Sequence, residues 1–170
     1  MDLRACVRDV VDFPKKGIVF KDITPLLADP KAFAYVTDHL AERYANQEFD
    51  KIIAVESRGF FFGAGLSLRL GRGLVPVRKP GKLPAEKIRQ TFDLEYGQDA
   101  LEIHTDAIKP GEKVLIVDDL LATGGTLEAS TKLVEALGGE VLEIVTIIEL
   151  TFLKGRERLA GYPLYACIQY

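Results

Sequence analysis

Apolar positions change period along the chain, and each change marks an element. Leu3, Cys6, Val7, Val10 and Val11 recur at helical spacing and predict an amphipathic opening helix. Phe13-Pro14 and Gly17 break it. Asp29-Pro30 predicts a capped helix start, and Phe33, Val36, Leu40 and Tyr44 supply that helix with one apolar face. Residues 51–55 and 73–77 read as short apolar strands on either side of a buried helix at 59–70. Residues 79–91, with Pro80, Gly81, Pro84 and several cations, read as an exposed loop. Residues 92–95 and 100–104 flank Gly97 as a possible hairpin. Then come a continuous apolar strand at 113–117, a helix at 124–137 closed by Gly138-Gly139, and a strand at 141–150. Thr151 is placed as the cap of a last helix ending near residue 160, before a final strand at 164–169.

Strand and helix alternate from 51 to 150, which implies right-handed β-α-β units and an open, mainly parallel α/β sheet flanked by helices. Ligands in such sheets sit beyond the carboxyl ends of the strands. The chemistry is therefore expected just after Val55, Val77 and Val117.

Composition narrows the class. The chain has 170 residues, 48% of them hydrophobic and 28% charged, and a formal net charge of −3. That suits one domain with a substantial core and argues against a general nucleic-acid binder. Cys6 and Cys167 have no zinc or redox spacing and read as small buried hydrophobes. The charged N-terminal segment and the lack of a long apolar run lead to the expectation of a soluble cytoplasmic protein.

The strand at 113–117 ends in Asp118-Asp119, followed by the small-residue loop Ala122-Thr123-Gly124-Gly125-Thr126 that opens a helix. Unpaired N–H groups and the helix dipole at such a start favour a phosphate. Neither GxxxxGK[ST] nor GxGxxG is present, so this is not a nucleotide P-loop or a dinucleotide fingerprint. Carboxylates would repel the phosphate itself, but they suit ribose hydroxyls. Phosphate on 122–126 and hydroxyls on 118–119 describe a 5-phosphoribosyl group.

VLIVDDLLATGGT (114–126) resembles the phosphoribosyl pyrophosphate signature of the type I phosphoribosyltransferase family, in the wording of its adenine-using members. DFPKKGIVFKDITPLL (12–27), ESRGFFFG (56–63), RKPGKLP (78–84), LEYG (94–97) and IELTFLKGRERL (148–159) resemble the same enzymes in the same order. The resemblance covers nearly the whole chain. It implies a single domain over 1–170, with a small N-terminal hood and base-binding segment at about 1–30 and a flexible loop at 83–97.

It also implies roles. Ser57 and Arg58 would meet pyrophosphate, with a cis peptide expected at Ser57-Arg58. Arg78, Lys79 and Lys82 would meet the same leaving group, although read alone they suit a solvated loop, as Lys87 and Arg89 do. Asp118, Asp119, Ala122, Thr123, Gly124, Gly125, Thr126 and Tyr96 complete the sugar-donor site. Glu95 would handle the proton of the base. The backbone of Val19 and Lys21 would read the base edge, Phe20 would stack on it or belong to the core, and Leu150 joins this set. Many members carry Asp at position 56 and Arg at position 21. Others that use 6-oxopurines commonly carry Asp where Ala122 stands, so Ala122 favours adenine.

The implied reaction joins adenine to phosphoribosyl pyrophosphate, giving AMP and diphosphate in purine salvage. Mg²⁺ is implied as the cofactor, held mainly by substrate oxygens and not by a protein metal site. A homodimer is implied, and Phe60-Phe61-Phe62 suits either an interface or a buried helix. No nucleic acid or membrane partner is expected. The rivals are a transferase for xanthine or orotate, which the VFKD and LEYG blocks oppose, and a non-catalytic regulator that binds the same sugar donor. His39 and His104 read as structural or surface residues, and Asp22 and Asp29 as turn or cap residues.

Overall fold

The computed structural model describes residues 1–94 and 97–170. Its elements run β1 (Arg8–Val11), β2 (Val19–Asp22), α1 (Thr24–Ala28), α2 (Pro30–Tyr44), β3 (Lys51–Val55), α3 (Gly59–Leu70), β4 (Gly73–Val77), β5 (Lys87–Leu94), β6 (Gly97–His104), β7 (Lys113–Leu121), α4 (Gly125–Ala136), β8 (Glu140–Glu149), α5 (Gly155–Arg158) and β9 (Leu164–Gln169). A five-stranded sheet of order β4-β3-β7-β8-β9 forms the centre, and all its neighbours are parallel. The hairpins β1-β2 and β5-β6 are separate antiparallel pairs.

The central strands bury both faces, so they read as apolar runs and not as alternation. On one face Leu115, Val117, Val145 and Ile147 pack with Val36 and Leu40 of α2 and Phe62 and Leu66 of α3. On the other, Ile53, Val55, Ile116 and Ile144 pack with Leu127, Leu133 and Val134 of α4. The strand β3 leads through α3 to β4 on one side, while its other neighbour β7 leads through α4 to β8 on the opposite side. The connections therefore diverge between β3 and β7, and a crevice opens at their carboxyl ends.

Helix α2 starts as its sequence requires. Asp29 accepts from the N–H groups of Lys31 and Ala32, with Pro30 in the first turn. Elsewhere tertiary pairing overrides local spacing. The expected opening helix is a 3-10 turn at Arg4–Cys6 followed by the strand β1. Val10 and Val11 are β-branched and find partners in Phe20 and Val19 across the hairpin. The expected loop at 79–91 ends early, because Lys87 onward pairs with β6 in a hairpin longer than expected. Arg89 is correspondingly not just solvated: it donates two hydrogen bonds to the buried carboxylate of Glu102. The expected last helix is a 3-10 turn, Thr151–Leu153, then the one-turn α5, interrupted at Lys154 with φ 55°.

Both histidines serve structure. The ring of His39 shares a 2.6 Å hydrogen bond with Tyr165 Oη, and His104 Nε2 accepts from the Ala85 N–H at 3.2 Å. The cysteines are free and only partly buried, less so than expected, and burial pushes the Cys167 thiol up to about 12. Among the described residues no helix is long and apolar enough to cross a membrane.

Candidate active site

A cleft of about 420 Å³ lies at the β3-β7 crevice. Glu56, Ser57 and Arg58 line it from the turn after β3, Lys79 from the segment after β4, and residues 118–127 from the end of β7 to the start of α4. The strand β7 runs further than its apolar stretch suggests. Asp118, Leu120 and Leu121 still pair with Thr146, Ile148 and Glu149 of β8, so the aspartate pair stands on sheet and not on a free turn. That gives the carboxylates a rigid base.

Close backbone packing explains several glycines. A β-carbon on Gly59 would lie 2.8 Å from Val117 O and 3.0 Å from Asp118 Oδ1, so only glycine lets α3 start this close to the carboxylate. Gly124 has φ 86°, a conformation that costs other residues about 1–2 kcal/mol. It turns the chain so that α4 begins at Gly125 with its first N–H groups directed at the cleft. Beneath the loop, a β-carbon on Gly155 would lie 2.2 Å from Ala122 O, and one on Gly124 would lie 2.8 Å from Gly155 O. The loop thus rests directly on the backbone of α5. Arg158 of α5 bonds Glu128 of α4 and closes the same contact.

The electrostatics are paired cation by cation. Arg58 Nε donates to Asp119 Oδ2 at 2.5 Å. Arg78 Nε donates to Glu56 Oε2 at 2.9 Å, and the Lys79 N–H donates to the same oxygen at 2.7 Å. The Lys79 ammonium bonds Asp99 of β6. Burial acts to raise the Glu56 carboxyl, but the Arg78 hydrogen bond, the Lys79 N–H and the charges of Arg78 and Lys82 hold it below its ordinary value. Asp99 is lowered in the same way, its burial outweighed by Lys79. Asp118 behaves oppositely: burial, then the adjacent Asp119 charge, push its carboxyl well above the ordinary range. Its Oδ1 accepts the Asp119 N–H at 2.8 Å.

The structure brings Ser57, Arg58, Lys79, Asp118, Asp119, Ala122, Thr123, Gly124, Gly125 and Thr126 into one cleft. Arg78 and Lys82 are not in its wall; Arg78 is turned to Glu56, with its guanidinium 5.5 Å from the Phe60 ring. Phe20 reaches the site through Arg58, whose guanidinium carbon lies 5.6 Å from the Phe20 ring centroid. Val19 is exposed on the same strand, β2. The Lys21 side chain points elsewhere, to Asp9 at 2.7 Å and over the Tyr170 ring. Leu150 does not line the cleft, but its N–H donates to Leu121 O at 2.9 Å, one residue before the loop. Glu95 and Tyr96 lie outside the described residues. The cis peptide is at Glu56-Ser57, one bond earlier than expected. The sequence marks Glu56 only as a departure from the Asp of many members, and marks neither Asp99 nor Gly155 as part of the site. Glu56 and Gly155 stand inside the ESRGFFFG and IELTFLKGRERL blocks, whereas Asp99 becomes visible only once β6 is paired.

Two carboxylates at the end of β7 make a donor pair of hard oxygens. Among the described residues, no group of three or more His, Cys, Asp or Glu could hold a metal ion.

The family model for phosphoribosyl transferase domains matches residues 22–161. The chain is 56% identical over 169 residues to an adenine phosphoribosyltransferase of Trichlorobacter lovleyi, covering 99% of both chains. It is 58% identical over 169 residues to one of Syntrophotalea carbinolica, again covering 99% of each. Its fold matches the crystal structure of the adenine phosphoribosyltransferase from Thermoanaerobacter pseudethanolicus with a TM-score of 0.96 at 57% identity, covering 99% of this chain and 98% of that one. It also matches the Saccharomyces cerevisiae enzyme, complexed with D-2,5-dideoxy-2,5-imino-altritol 1,6-bisphosphate and adenine, with a TM-score of 0.92 at 43% identity, covering 97% and 96%. The family match over most of the chain and the similarity along its full length lead to one assignment: the chain belongs to the phosphoribosyltransferase family, among the adenine phosphoribosyltransferases.

Proposed function

We propose that the protein transfers the 5-phosphoribosyl group from phosphoribosyl pyrophosphate to adenine, giving AMP and diphosphate. One observation supports this reading beyond the family: the glycine-rich loop 122–126 and the carboxylates of Asp118 and Asp119 share a cleft with Arg58, whose guanidinium lies against Phe20. Donor and acceptor thus have adjoining places.

In the reaction the C1′–oxygen bond to diphosphate breaks, the N9–C1′ bond forms, and the N9 proton leaves. The N–H groups at the start of α4, with Thr123 and Thr126, hold the 5′-phosphate. Asp118 and Asp119 accept from the ribose hydroxyls. Arg58 and Lys79 meet the charge that grows on diphosphate, joined by Arg78 and Lys82 from outside the wall. Phe20 stacks on adenine, with the backbone of Val19 and Lys21 at its edge and Leu150 behind the sugar-binding loop. Glu95 takes the base proton, and Tyr96 belongs to the donor-binding set. In this reading residues 1–30 form the hood and 83–97 the loop that covers the sugar and excludes water.

Mg²⁺ is part of the proposal. The Asp118–Asp119 pair fits it, because a divalent cation would offset both the burial and the neighbouring Asp119 charge that raise Asp118. When bound with the donor, mainly through substrate oxygens and water, it supplies neutralisation of the leaving diphosphate. A cytoplasmic setting draws on the free thiols of Cys6 and Cys167. A homodimer draws on Phe61 and Leu68, seven residues apart on α3, and Leu74 on the neighbouring edge strand β4, which are 49%, 85% and 41% exposed.

The experiment mixes the protein with Mg²⁺, phosphoribosyl pyrophosphate and adenine, hypoxanthine, guanine, xanthine or orotate in turn, and measures nucleotide formed. AMP formation from adenine alone is the expected outcome. Donor binding without any product would replace the enzyme with a regulator.

A further inference from the structure

The strand β2, read as the base-binding segment, belongs to a two-stranded ribbon in which no residue is fully buried, β1 being mostly exposed and β2 mostly half-buried. Such a ribbon is marginal alone, so its placement depends on contacts with the body. Successive side chains on a strand point to opposite faces. Phe20 faces Phe13 and Arg58, with ring centroids 5.2 Å apart in the first contact. Lys21 therefore leaves from the other face, and there its ammonium lies 3.9 Å from the centroid of the Tyr170 ring and 2.7 Å from Asp9 Oδ1.

Tyr170 is itself held firmly. Its N–H donates to Glu149 O at 2.9 Å, and its carbonyl accepts from the Thr151 N–H at 2.9 Å and from Thr151 Oγ1 at 2.6 Å. Glu149 and Thr151 flank Leu150, whose N–H bonds Leu121 at the foot of the phosphate loop. The ring is thus a fixed surface referenced to the sugar-donor loop. Arg4 supports the same corner: its guanidinium lies 5.6 Å from the Tyr170 ring and donates to Gln169 O at 2.6 Å.

We propose that Tyr170 is a positioning residue for the acceptor base: by seating the Lys21 ammonium on its ring, it fixes the rotation of β2 and so the direction in which Phe20 presents to adenine. Tyr170 touches neither substrate. It acts through Lys21, and its effect falls on the base and not on the sugar donor. The proposal rests on the reading of Val19–Lys21 as the base-binding segment.

The test is steady-state kinetics with each substrate varied, on Tyr170→Leu, Tyr170→Phe, Lys21→Met and Phe20→Leu. A cation–π contact of this kind is worth a factor of about three to thirty. Tyr170→Leu should raise KM for adenine by about that factor and leave KM for phosphoribosyl pyrophosphate within twofold. Tyr170→Phe keeps the ring and should restore the parent value. Lys21→Met should reproduce the Leu variant, and combining the two should add nothing further. Lys21→Met also serves if Tyr170→Leu does not fold. Equal rises in both KM values, an unchanged adenine KM, or failure of Tyr170→Phe to restore it would each overturn the proposal. Phe20→Leu separates the two levels. If it leaves the adenine KM unchanged, the base-segment reading falls. If it raises that KM while Tyr170→Leu does not, only the positioning role falls.

Discussion

Gly155 sits against the carbonyl oxygen of Ala122, with space for a hydrogen and not for a methyl group: an added β-carbon would be 2.2 Å away. The loop proposed to hold the sugar phosphate is therefore supported by a helix whose residues are some thirty positions further along the chain. The backbone of Gly155 is not in a left-handed conformation, so a substitution there tests packing alone. Gly155→Ala should displace Ala122 and the N–H groups that follow it. An overpacked contact of this kind costs about 1–3 kcal/mol. We expect KM for phosphoribosyl pyrophosphate to rise at least about tenfold, since misplacing a binding group by about 1 Å can cost a hundredfold. KM for adenine should move less. An unaltered donor KM would remove the supporting role of α5.

Asp118 is expected to trade stability for binding. Its carboxyl is raised by burial and by Asp119, so the folded protein keeps the proton to a higher pH than the unfolded chain does. The fold suffers no penalty from this group below about pH 4, the unfolded value. It loses stability as pH rises from there through the folded value, and the loss persists at neutral pH. Asp118→Asn removes the ionisation and keeps an oxygen to accept the Asp119 N–H. At pH 8 its Tm should exceed the parent's, by about 2–4 °C for each kcal/mol relieved. At pH 4 the difference should shrink toward zero. Donor binding should weaken at both. A Tm gain that is constant across pH would contradict the assigned cause.

How much of this was legible in the sequence depends on the distance over which each contact acts. The phosphate loop is local: Asp118 through Thr126 form one string, and each residue's part follows from strand end, small-residue turn and helix start. Helix α2 is readable because burial of one face leaves a periodic trace, and β3 and α3 because burial on several sides leaves an uninterrupted apolar run. The opening segment misled because its partner is β2, and pairing with a strand ten residues away outweighs helical spacing in a short β-branched stretch. The Gly155–Ala122 contact involves backbone on both sides and leaves no side-chain signal. Asp99 carries no signal in the sequence, because its meeting with Lys79 depends on the pairing of β6.

Leu68 is 85% exposed, and Phe61 lies two helical turns before it on the same face of α3. Exposed apolar side chains on α3, with exposed Leu74 on the edge strand β4, give apolar surface suited to a second copy of the chain. Light scattering coupled to size exclusion should give the parent twice the chain mass. Leu68→Glu, which puts a charge in the patch without touching the core, should reduce the mass to that of one chain. A dimer that survives this substitution would place the interface elsewhere.

Lys79, Arg58 and Arg78 each carry a carboxylate partner, so in the proposed function these carboxylates compete with the anionic donor for them. Lys79–Asp99 offers the cleanest measurement, because Asp99 does not line the cleft and both side chains are partly solvated. Solvent screening limits such a pair to about 0.2–1 kcal/mol. Asp99→Asn removes the competing charge while keeping the side chain's size. KM for phosphoribosyl pyrophosphate should fall by about 1.5- to fivefold, and the fall should diminish as salt is added. Lys79→Gln should raise the same KM. In the Lys79→Gln background, Asp99→Asn should have no further effect, because the ammonium through which it acts is gone. A rise in KM on Asp99→Asn alone would reverse the relationship: Asp99 would then hold Lys79 in its binding position, and would not compete with the substrate for it.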